Sequence, residues 1–144
     1  MKTSARNLVT LAAFGLLLTL SKPAHAADPC KLLTPDEVTH VVGNSVSATP
    51  LGTNGCNWRG NPQGASIILR DASIWERTIA PSTILKKESV SGIGDAASFS
   101  GSQNQWTLSV KKGNDVFILK VYNGTPDQQR ASEQTLAKLA LKRL

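Results

Sequence analysis

Two stretches late in the chain alternate apolar and mainly polar residues, and no other feature constrains its fold as much. Trp106, Leu108 and Val110 alternate with Thr107, Ser109 and Lys111, and Phe117, Leu119 and Val121 alternate with Ile118, Lys120 and Tyr122. A period of two sends successive side chains to opposite sides of a strand. Each stretch therefore carries one core-facing side and one wetter side, which is the mark of an antiparallel sheet covered on a single face. Gly113-Asn114 between them supplies the tight turn of a hairpin.

The remaining strands follow from the same reasoning. Ser45 to Leu51 reads as an edge strand closed by Pro50, and Cys56 to Arg59, a turn at Gly60-Asn61-Pro62 and Ala65 to Arg70 read as a hairpin. Ala96 to Ser100, Gln105 to Lys111 and Val116 to Tyr122 form a second meander. Helices bracket this β region. Thr34-Pro35-Asp36-Glu37 combines a cap, a proline at the first helical position and the glutamate of a capping box, and Gly43 suits the stop. Thr125-Pro126-Asp127-Gln128 repeats the device before a longer C-terminal helix, whose apolar face is expected to hold Ala131, Leu136, Ala137, Leu139, Ala140 and Leu144. The stretch from Ser73 to Lys87 reads as a short helix or a loop, because Pro81 stops any helix carrying Ile74, Trp75 and Ile79. The expected fold is α+β: a single antiparallel sheet of about five or six strands, with N- and C-terminal helices packed on one face.

The N-terminus sets the compartment. Lys2 and Arg6 precede an apolar run from Leu8 to Leu20, and Ala24-His25-Ala26 is a small-x-small cleavage site. This is the pattern of a secretory signal peptide cut after Ala26, with an apolar run shorter than the roughly 20 residues a spanning helix needs. Residues 27–144 then form one domain, in the periplasm or secreted, with no stable membrane insertion after cleavage. Three of the 16 Lys and Arg residues (Lys2, Arg6 and Lys22) leave with the leader, which lowers the net charge from +6 to +3. The remaining positives are scattered in pairs, without the basic stripe and interleaved aromatics of a nucleic-acid binder. In an oxidising compartment Cys30 and Cys56 are expected to form one disulfide.

These motifs together resemble a known group. A Cys shortly before Leu-Leu-Thr-Pro-Asp-Glu-Val, a helix ending in Gly and a Cys-Asn-Trp strand are followed by Val90 to Ala97, Leu108 to Gly113 and a closing helix ending Leu-Ala-Leu-Lys-Arg-Leu. The pattern resembles a diffuse group of small exported or lipid-anchored bacterial domains of unknown function. More distantly it is similar to the extracellular sensor domain of some bacterial serine/threonine kinases. The resemblance implies a fold and a compartment and carries no catalytic residues.

Chemistry is sparse. The mature chain holds one histidine, His40, with Asp36 and Glu37 a turn before it on the first helix. That pairing is the minimum for a general base, but no Gly-x-Ser-x-Gly elbow completes a triad. Were the chain a hydrolase using His40, His40→Ala would abolish turnover without lowering the melting temperature. One histidine and two oxidised cysteines leave no metal set, and no cofactor is expected. Gly92-Ile93-Gly94-Asp95-Ala96-Ala97 fits a dinucleotide fingerprint in letters, but its flanks read as strand or loop, so it is a glycine-rich turn with Asp95 as its side-chain cap. Trp58 and Trp106 read as core. Trp75, next to Arg77, reads either as an exposed partner-binding anchor or as a lid over the core.

The leading functional expectation is a non-enzymatic exported binding module for a protein or cell-envelope partner. Its contact would be a sheet face rich in Thr, Ser and Lys together with the Trp75 connection. The alternatives are a secreted inhibitor or immunity-type protein that blocks an enzyme with a protruding loop, and the His40 hydrolase.

Overall fold

The structure, a computed structural model, describes residues 27–144; the leader expected over residues 1–26 lies outside them. Seven antiparallel strands form one sheet: β1 (Val46–Pro50), β2 (Gly55–Gly60), β3 (Gly64–Asp71), β4 (Lys86–Val90), β5 (Ala96–Ser102), β6 (Gln105–Lys112) and β7 (Asp115–Tyr122). Their spatial order is β1-β2-β3-β7-β6-β5-β4. Two meanders therefore meet at the centre, where β3 and β7 pair from Gly64–Tyr122 to Asp71–Asp115. The α+β fold with a single antiparallel sheet is as expected, but the sheet has seven strands where five or six were expected. The added strand is β4. It was hidden because Lys86-Lys87-Glu88-Ser89 shows no apolar alternation, and an edge strand needs none.

Helix α1 (Pro35–Val42) and helix α3 (Pro126–Ala140) cover one face. Both open with complete capping boxes. The Glu37 N–H donates to Thr34 Oγ1 and the Thr34 N–H donates to Glu37 Oε2; Gln128 and Thr125 make the same exchange. Gly43 ends α1 at φ 81°, a conformation open to glycine at little cost. Beneath the helices lies the core, where Trp58, Ile67, Phe99, Leu108, Phe117 and Leu119 are each 0% exposed. At the end of β5, Gly101 is buried against the Trp106 ring, and a Cβ there would stand 2.6 Å from ring carbons. The Trp106 ring meets Phe99 edge to face at 6.1 Å, and the Arg130 guanidinium of α3 lies over both rings while pairing with Glu88 of β4.

Cys30 sits in a 3-10 turn (Pro29–Lys31) just before α1 and is bonded to Cys56 on β2. The far end of the chain closes on the same place. The Arg143 guanidinium donates to both carboxylate oxygens of Glu37 at 2.8 and 2.9 Å and to the Leu32 carbonyl at 3.1 Å. This pairing holds the Glu37 carboxyl down to a pKa of about 2.

The face of α3 corrects the expected one. Leu136, Ala137 and Ala140 are buried as expected, but Ala131 is exposed, and the inward stripe is completed by Gln129 and Glu133. The cause lies in the sheet. The β6–β7 ladder runs from Lys112–Asp115 only to Leu108–Leu119. Beyond that the strands part, and α3 side chains take over the freed backbone groups: the Trp106 N–H donates to Gln129 Oε1 and the Val121 N–H to Glu133 Oε1. Buried backbone donors need such partners.

Candidate functional site

Alternation along the strands places Lys87, Ser98, Ser100, Thr107, Ser109, Ile118 and Lys120 on the face opposite the helical layer. The register makes this explicit: Ser98 pairs with Ser109 and Ser109 with Ile118, while Phe99, Leu108 and Leu119 line up on the core side. Part of this second face is covered by the ambiguous connection after β3. There a 3-10 turn (Ala72–Ile74), capped by the Asp71 carboxylate on the Ser73 N–H, leads into the short helix α2 (Trp75–Ile79). Pro81 then ends the helical stretch, as expected, and residues 80–85 run as a loop into β4.

Trp75 is 7% exposed, so it is a lid rather than a surface anchor; Arg77, two residues on, is exposed. Between this connection and the sheet lies a groove of about 360 Å³. Its walls carry Arg77, Lys87 and Lys120 with the hydroxyls of Ser100, Thr107 and Ser109, and Ile118 lies among them. Lys87 Nζ donates to the Thr78 carbonyl at 2.7 Å, tying β4 to α2, and Lys120 Nζ donates to Gln105 Oε1 at 3.1 Å across the parted strands. An ammonium has three donors, so each lysine keeps others for a ligand. No acidic side chain lines the groove.

On its outer side the same connection bears the most exposed large apolar residue described, Ile84 at 84%, next to Leu85 at 40%. The loop is braced from within, because Ser82 Oγ accepts the N–H groups of both Ile84 and Leu85. An open concavity of about 770 Å³ lies beside it, bounded by Ile79, Pro81, Ile84, Leu85, Lys86 and Lys87.

The other sequence candidates lie elsewhere. His40 is exposed on α1, and its neighbour Glu37 is committed to Arg143 and the helix cap. The Gly92–Ala97 segment joins strand to strand, not strand to helix, so it lacks the context of a dinucleotide site. Gly94 stands at φ 62° with room for no Cβ, which would lie 2.6 Å from the Lys111 carbonyl oxygen. Asp95 caps a neighbour's turn and not its own: its carboxylate accepts the Gly113 N–H at 2.7 Å and Lys112 Nζ at 2.9 Å. These bonds, the backbone one foremost, hold its pKa below the usual carboxylate range. Among the described residues no group of three or more His, Cys, Asp or Glu side chains could hold a metal ion.

No protein-family model matches the chain, and no curated protein or solved structure matches it. The functional reading therefore rests on the geometry above.

Proposed function

We propose that the mature chain is an exported, non-enzymatic binding module for a protein partner of the cell envelope, held through the loop that carries Ile84 and Leu85. The observation behind this reading is Ile84 itself. With Leu85 at 40% and the open concavity lined by Ile79 and Pro81 beside it, this 84% exposed side chain belongs to a contiguous apolar patch. The loop that carries it is fixed by internal hydrogen bonds and so pre-organised to enter a partner's pocket. The leader sequence, the disulfide and the lack, among the described residues, of a helix long and apolar enough to cross a membrane are compatible with export.

The protruding loop also favours the inhibitor reading, which differs only in the partner being an enzyme. Cross-linking tagged mature protein in its host, with a photoreactive side chain at Thr83, tests both. One protein is expected to be captured repeatedly, and Ile84→Asp is expected to abolish capture while shifting the melting temperature little, since the side chain has little packing to lose. Whether the captured protein is an enzyme separates adaptor from inhibitor. Capture unaffected by Ile84→Asp removes this loop as the contact.

A further inference from the structure

On the inner side of the same connection, we propose that the groove between α2 and the second sheet face is a separate ligand site for a short acidic saccharide of the cell envelope. Three features select that chemistry. Arg77, Lys87 and Lys120 converge on a space with no carboxylate in its walls, so the local charge calls for an anion. Hydroxyl side chains of Ser100, Thr107 and Ser109 fill much of the remaining lining and match a ligand rich in hydroxyl groups. Ile118 adds a small apolar patch on which the C–H face of a sugar ring can rest.

Other anionic ligands fit less well. A single nucleic-acid strand is held by a basic groove together with bases stacked on aromatic rings, and among the described residues no aromatic side chain lines this groove. A lipid requires an apolar wall, and the apolar side chains here are Leu85 and Ile118. The volume of about 360 Å³ is near the lower end of the roughly 300–1,000 Å³ of small-molecule sites, so the bound unit is short. Two bonds place the lysines before any ligand arrives: Lys87 to the Thr78 carbonyl and Lys120 to Gln105. The lysines are therefore held in position at both walls, which lowers the ordering cost of binding.

The test is a titration of isotope-labelled mature protein, followed by amide NMR, with three probes: a galacturonic acid trimer, neutral maltotriose and inorganic phosphate. The acidic trimer is expected to shift the amides of Thr78, Lys87, Thr107, Ser109 and Lys120, with maltotriose and phosphate at least tenfold weaker. Lys87→Gln with Lys120→Gln is expected to weaken the trimer by about tenfold or more, with the rest of the spectrum unchanged to show an intact fold. Arg77→Ala, at an exposed position, serves as a second variant and is expected to weaken binding in the same direction. The proposal is overturned if no probe shifts these amides, if the shifts fall outside the groove, or if maltotriose binds as well as the acid. Equal binding of inorganic phosphate also overturns it, by reducing the site to a simple anion hole. None of these results depends on what the Ile84 loop captures.

Discussion

Replacing Cys30 and Cys56 together by alanine is expected to lower the melting temperature of the domain formed by residues 27–144 by roughly 10–15 °C. The bond joins residues 26 apart in sequence, and removing a cross-link of that span releases about 3–4 kcal/mol of chain entropy to the unfolded state. In a domain of this size each kcal/mol is worth about 4 °C. Position adds to the effect. Cys56 is fully buried on β2, and the segment that Cys30 ties down continues into Leu32 and Leu33, at 1% and 0% exposure, which fill the core beneath α1. Loss of the bond therefore loosens α1 first, and hydrogen exchange there is expected to rise before exchange in the central pair β3–β7. Differential scanning calorimetry of the wild type with and without reductant gives the independent check. Reductant that leaves the transition where it was would show that the chain-entropy argument does not hold for this loop.

The fold was legible where two signals agreed. Alternation placed β6 and β7, and the paired Thr-Pro-Asp starts placed α1 and α3, because period and capping chemistry are local properties of the chain. The site was legible only in outline. A face rich in Thr, Ser and Lys beside the Trp75 connection was expected, and Arg77 lies at its groove, but Trp75 is buried because the 3-10 turn after Asp71 rotates it towards the sheet. Ile84 gave no warning, since an Ile-Leu pair reads as core until the loop's path is known. β4 and Lys87 were missed together, as an edge strand has no periodic burial to betray it. Gln129 and Glu133 are polar and were absent from the apolar face expected for α3. Yet they stand at helical spacing with Leu136, Ala137 and Ala140, and that spacing was the available signal. What sequence could not supply was the parting of β6 from β7, which turns two polar side chains into backbone partners.

Glu133 carries the second large effect. Its carboxylate is 0% exposed; Oε1 accepts the Val121 N–H at 3.0 Å, and Oε2 has no hydrogen-bond partner. Burial raises its pKa from 4.5 to about 7, against the opposing pull of that N–H and of the charges on Lys120 and Arg130. The folded state thus binds the proton more tightly than the unfolded state does. The stabilisation this gives is fully present below pH 4.5 and is lost as pH rises through 7, to a total of about 3 kcal/mol. The domain is accordingly expected to be less stable at pH 9 than at pH 5. Glu133→Gln keeps an acceptor for the Val121 N–H and carries no charge at any pH. It is expected to flatten that dependence, matching the wild type at pH 5 to within about 1 kcal/mol and melting about 10 °C higher at pH 9. Glu133→Ala instead leaves a buried backbone donor unpaired and is expected to destabilise the domain by about 1–3 kcal/mol at pH 5. Thermal melts of the three proteins across this range decide the matter. A Gln variant that loses stability equally at both pH values would mean that the buried carboxylate is ionised and matched by its two cationic neighbours, and that the wedge between β6 and β7 is a charged one.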